Sequence, residues 1–184
     1  MRVSETDILI LPGLGNAEPG HWQRRWESRI ATARLVEQDN WDRPQLGAWT
    51  STIERAIMMA TRPVVLVAHS LGVSAAVHTA QRLKDAKVRG AFLVAPPDHE
   101  GDQVPSEAAG FGHVPRDPLP FPSMLVASTN DPLCSVERAV DLAAAWGSDL
   151  HFAGAAGHIN VASGHGPWPE GLVMFTRLMQ RLRG

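Results

Sequence analysis

The chain is poor in several things, and each scarcity narrows its function. It has a single cysteine, Cys134, so no internal disulfide can form; a reducing compartment, the cytoplasm, is the expected location. No apolar run approaches the roughly 20 residues of a membrane span, and the opening MRVSETDILILPG lacks the apolar length of a secretory signal. There is no basic excess: the formal net charge is −2, with Lys and Arg scattered along the chain. Nucleic acid is therefore not expected as a main partner, because phosphate binding needs a basic face. The absence of tyrosine beside six tryptophans excludes nothing.

What remains is ordinary globular material, 44% hydrophobic and 20% charged over 184 residues. That length suits one domain spanning 1–184, and neither a repeat nor a low-complexity linker suggests a second. Six short apolar runs read as strands: Ile8–Leu11, Arg34–Glu37, Val64–Ala68, Ala91–Ala95, Met124–Ser128 and Leu150–Ala153. Several lack alternation, as strands buried on both faces do. Between them lie helical spacings: Trp22, Trp26 and Ile30; Trp49, Ile53, Ala56, Ile57 and Ala60; Val73, Ala76, Val77 and Ala80; Val136, Ala139, Val140, Ala143 and Trp146. A last helix from about Glu170 to Arg181 puts Leu172, Phe175, Leu178 and Met179 on one side. Strand alternating with helix predicts an α/β fold, a mostly parallel sheet with helices on both faces. Such sheets bind ligands beyond the carboxyl ends of their strands. One connection breaks the rhythm: Pro96–Ser123 is long and dense in Pro and Gly, with room for a short helix near Ser106–Ala109. It leaves the carboxyl end of the fourth strand, where it could wall a site.

The residues just after the strands carry the chemistry. Ala68-His69-Ser70-Leu71-Gly72 joins a strand to a helix. This is the context of the G-x-S-x-G elbow, with Ala for the first Gly, and it offers Ser70 as nucleophile rather than as a mere helix cap. A serine needs a base, and the base needs an acid to orient it. Asp131 lies three residues past the fifth strand, before Pro132; Asp98, after the fourth strand, is its competitor. His158, in a Gly- and Ala-rich loop after the last strand, is the candidate base, with His165 in the same loop as its rival. His69 adjoins the nucleophile as a pocket or packing residue, while His21, His78, His99, His113 and His151 are poorly placed to serve as the base. Oxyanion donors are expected at the backbone N–H of Leu71 and of Leu14, the latter between Gly13 and Gly15, which allow close approach to a substrate. Gly13-Leu14-Gly15 is not a dinucleotide fingerprint, because Glu18 stands where its third glycine belongs.

Together, LPGLGNAEPGHWQ, VAHSLG, ASTNDPLCS and GAAGHINVASGHGPWPEG resemble the small α/β-hydrolase-fold serine hydrolases related to retinoblastoma-binding protein nine and its YdeN-like bacterial relatives. The resemblance covers nearly the whole chain. It implies a minimal α/β-hydrolase fold without a cap domain, with six parallel strands in the order 2-1-3-4-5-6. It also implies a triad of Ser70, Asp131 and His158, and a His21–Trp22 pair near the substrate pocket. The expected activity is ester hydrolysis on small acyl groups, with neither metal nor organic cofactor. A protein-interaction module that keeps the fold, or an acyltransferase or perhydrolase using the same triad, is the alternative. A small-molecule ester is the expected partner; no nucleic acid or membrane is, and nothing in the residues indicates a protein partner.

Overall fold

The computed structural model describes residues 1–83 and 87–182. Six strands form one parallel sheet: β1 (Asp7–Leu11), β2 (Ala33–Leu35), β3 (Val64–His69), β4 (Val88–Val94), β5 (Ser123–Ala127) and β6 (Asp149–Phe152). Their spatial order is β2-β1-β3-β4-β5-β6, the order the resemblance implies. Five α-helices connect or follow them: α1 (Trp22–Arg29), α2 (Leu46–Met59), α3 (Leu71–Ala80), α4 (Val136–Trp146) and α5 (Pro169–Arg181).

The inner strands β1, β3, β4 and β5 are largely apolar because both faces of the sheet are covered there, while the edge strands β2 and β6 carry Arg34, Asp149 and His151 and are only partly buried. Leu9, Leu11, Leu66, Ala68, Leu93 and Leu125 point to one side, where they pack against α2, α3 and α4 through Trp49, Ile53, Val73, Val77, Leu142 and Trp146. Their neighbours Ile8, Ile10, Val65, Val67, Phe92 and Val126 point to the other, against α1 and α5 through Trp22, Trp26, Phe175 and Leu178. Trp22, Trp26 and Trp168 lie on this second face, with Trp26 and Trp168 stacked at 6.4 Å, and Trp49 and Trp146 lie on the first.

The strand ends differ slightly from expectation. β2 is three residues long, stopping before Glu37, which is exposed; its outward Leu35 N–H is taken by the Glu27 carboxylate at 2.9 Å. β4 starts three residues earlier than Ala91 and ends at Val94, because Ala95 turns the chain at φ +49°. Leu172 and Val140 do not face the core as their spacing suggested. Each sits on the flank of its helix, and the buried stripes are completed by Gly171 with Phe175, Leu178 and Met179 on α5, and by Leu142 on α4. Among the described residues, no helix is long and apolar enough to cross a membrane.

Candidate active site

Ser70 stands between β3 and α3 with φ 53° and ψ −128°, outside the regions an L-residue favours. Its N–H donates to Val94 O at 3.0 Å and its carbonyl accepts from Val73 N–H at 2.8 Å, so the turn is tied to β4 on one side and starts a helix on the other. The flanks must be small. A Cβ on Gly72 would lie 2.2 Å from Leu11 O and 2.6 Å from Pro12 O, both backbone atoms that cannot yield. A Cβ on Gly13 would lie 2.8 Å from the Ser70 Cβ. The glycine loop after β1 therefore runs directly alongside Ser70. Among the described residues, neither the Leu14 nor the Leu71 N–H donates to a protein acceptor, and both residues line the cavity over Ser70.

His158 Nε2 lies 2.8 Å from Ser70 Oγ. Its Nδ1 lies 2.9 and 3.0 Å from the two carboxylate oxygens of Asp131. The Asp131 side chain is 2% exposed and also accepts Leu133 N–H at 2.9 Å. The two rivals are engaged elsewhere. Asp98 pairs with Arg138 Nε at 2.9 Å. His165 contacts Ser163 Oγ at 3.2 Å and the ring of Trp168.

The loop carrying His158 is held at four successive residues. Ser128 Oγ accepts Ala156 N–H at 2.9 Å, and Asn130 Oδ1 accepts Gly157 N–H at 2.7 Å. His69 Nε2–H donates to the His158 carbonyl at 2.8 Å, and Trp22 Nε1–H donates to the Ile159 carbonyl at 3.0 Å. Ser128 and Asn130 escaped the sequence reading, although both stand in the quoted ASTNDPLCS; a hydroxyl and an amide just past a strand end were the available signal. Trp22 requires a correction. It is fully buried and does not line the cavity, so it is not a substrate contact. Its indole is packed on the α1 side of the sheet, where its N–H supports the backbone next to His158.

Gly13, Gly15, His21 and His69 do line the cavity, which measures about 350 Å³. Leu14, Leu71, Val104, Ala108 and Leu133 make much of it apolar, while Asn16, Glu18 and Asn160 add polar groups. Val104, Pro105 and Ala108 come from the long connection between β4 and β5, which contains a 3-10 turn at Ser106–Phe111. Three imidazoles follow one another along the wall, His158 to His69 at 5.0 Å and His69 to His21 at 4.9 Å between centroids. Burial, and secondarily the neighbouring His158, pushes the His21 pKa down to about 4 and that of His69 well below the usual histidine value. Both rings are thus neutral at pH 7. A fixed cation here would oppose the positive charge that a base at His158 acquires. Among the described residues, no cluster of three or more His, Cys, Asp or Glu side chains has the arrangement of a metal site.

A family profile described as serine hydrolase matches residues 8–177. No curated protein matches the chain. Among solved structures, a YdeN-like hydrolase of Pectobacterium atrosepticum is 35% identical over 98% of this chain and 94% of its own, with a TM-score of 0.87. The ydeN gene product of B. subtilis is 20% identical, covering 96% of this chain and 99% of its own at a TM-score of 0.75. An α/β-hydrolase enzyme from a lagoon-sediment metagenome is 14% identical, covering 96% and 91% at 0.73. The last two show the fold alone. Sequence match and fold agree over nearly the full length: the chain belongs to the serine hydrolase family and has the α/β-hydrolase fold.

Proposed function

We propose that this protein is a carboxylesterase for small acyl esters, working through Ser70, His158 and Asp131 as one cytoplasmic domain. The observation that carries the reading is the unbroken hydrogen-bond chain from Ser70 Oγ through His158 to the buried Asp131 carboxylate. In the proposed reaction His158 Nε2 takes the Ser70 proton as Oγ attacks the ester carbonyl. Asp131 holds the Nδ1–H tautomer and stabilises the imidazolium. The N–H groups of Leu71 and Leu14 receive the oxyanion, each such donor being worth about 10²–10³ in rate. His158 returns the proton to the leaving alcohol, and water, activated by the same imidazole, then releases the acid from the acyl-enzyme. None of these steps calls for a metal or organic cofactor. The modest cavity and its apolar side chains support a short acyl group.

The test is labelling with a fluorophosphonate, alongside hydrolysis of p-nitrophenyl esters, in wild type, Ser70→Ala and His158→Ala. Labelling of wild type at the Ser70 peptide, lost in both folded variants together with turnover, is the expected result. Wild-type turnover in Ser70→Ala overturns the mechanism. A folded wild type that neither labels nor turns over moves the protein to the interaction-module reading. Product analysis with a competing alcohol or peroxide separates water from another acyl acceptor.

A further inference from the structure

His21 is a buried titratable group that the reaction above leaves unused, and it stands in the cavity wall with Gly13 and Ser70. It is the N-cap of α1, where its Nδ1 accepts the Gln23 N–H at 3.2 Å. A ring nitrogen that accepts an N–H carries no proton, so the proton of the neutral ring sits on Nε2. The ring's position is set by packing against His69 at 4.9 Å and Trp22 at 5.4 Å. Its backbone is anchored through Gln23, whose side-chain amide donates to Leu11 O at the end of β1 and to Val67 O within β3, at 3.2 Å each. His21 is 4% exposed. Among the described residues nothing accepts from its Nε2. The Nε2 atom is not sealed off from the cavity, so its acceptor is whatever occupies the cavity; a substrate that displaces water there without offering an oxygen of its own leaves the donor unpaired.

The surrounding charge says which acceptor fits. No Lys or Arg lines this cavity, and its one carboxylate is Glu18. An anionic acceptor would meet Glu18 with no counter-charge, whereas a neutral oxygen meets no such penalty. We propose that the His21 Nε2–H is a specificity determinant that recognises a second, uncharged oxygen on the substrate, so that oxygen-bearing esters are preferred over their plain hydrocarbon counterparts. The proposal rests on the serine hydrolase reading of Ser70 and names the substrate class of that site.

The experiment compares kcat/KM for matched esters in which an ether oxygen replaces one CH2 of the acyl chain or of the alcohol. An ether oxygen also activates the carbonyl chemically, so each ether-to-CH2 ratio is compared between wild type and His21→Asn. Asparagine keeps an N-cap acceptor for Gln23, but its short amide does not extend to where Nε2 stands. For at least one pair the ratio is expected to fall about 3- to 10-fold in His21→Asn, the worth of one hydrogen bond. Equal ratios for every pair, with Ser70 still labelled by fluorophosphonate, overturn the proposal for His21 alone. Absent labelling of folded wild type overturns the hydrolase reading beneath it. Should His21→Asn not fold, an imidazole 15N–1H spectrum of wild type decides: a His21 ring protonated on Nε2 is expected, and one protonated on Nδ1 overturns the proposal.

Discussion

The two walls of the cavity are built differently. The strand-edge wall, Gly13, Ser70 and Leu71, rests on β1 and β3, whose apolar residues are buried and whose neighbouring backbones leave no room for a methyl at Gly72. The opposite wall, Pro97 to Ala108, belongs to the connection between β4 and β5. It is held mainly by side chains: His78 to the Phe111 carbonyl at 3.2 Å, His99 to Ser74 Oγ at 2.8 Å, and Arg138 to Asp98 and Glu100. Around Gly110 there is open space where a Cβ would go. The difference teaches a division of labour. Side chains that meet within hydrogen-bond distance stand on the sheet or are clamped to it, whereas the facing wall is carried by a long connection that shares none of those hydrogen bonds.

Four changes break or sharpen that contrast. The largest effect is expected from Asp131→Asn, which keeps the shape of the strand-edge machinery but not the His158 tautomer. A loss in kcat of about 10⁴ with unchanged unfolding is expected, measured by ester hydrolysis and urea denaturation. Next comes Gly72→Ala, which drives a Cβ into Leu11 O and Pro12 O. A loss of about 3 kcal/mol or more, or failure to fold, should appear in the urea midpoint.

Acidification should act on both walls. The pKa values of His21, His78 and His99 are lowered by burial, His21 to about 4. Because the unfolded rings take protons near pH 6.5 and the folded ones only lower, stability is full above pH 6.5 and declines as pH falls towards 4. His21 alone accounts for about 3 kcal/mol of that decline. A flat unfolding free energy between pH 6.5 and 4 would mean the rings are not held neutral. Smallest is Val104→Ala in the long connection: a stability change of roughly 1 kcal/mol or less, with a shift in relative kcat/KM towards longer acyl chains. A collapse of all activity there would erase the distinction between the walls.

Much of this was legible along the chain. The inner strands announced themselves because a parallel sheet covered on both faces is apolar at nearly every inner position, whereas the edge strands β2 and β6, with Arg34, Asp149 and His151, left a weaker trace. The elbow at Ser70 was legible because strand, small residue, serine, small residue and helix are contiguous, and a local steric demand leaves a local trace. The same holds for Asp131, a carboxylate three residues past a strand. The alternatives Asp98 and His165 were open because each also follows a strand end. The resemblance favours Asp131 and His158, and the folded chain engages the alternatives elsewhere, Asp98 with Arg138 and His165 with Ser163. Trp22 read as a pocket residue because the family resemblance pairs it with His21, but only His21 lines the cavity, while the Trp22 ring packs behind it in the core.

What the sequence determined by itself is therefore the set of elements, their alternation and the residue types waiting at their ends, since these follow from steric and solvation demands acting over a few neighbours. What only the tertiary structure decided is which of those residues meet. Ser70 and His158 come within 2.8 Å across 88 positions of chain, and the carbonyls of His158 and Ile159 are held by His69 and Trp22 from β3 and α1. Such distances depend on strand order, twist and packing summed over the whole sheet, and no window of sequence contains that sum.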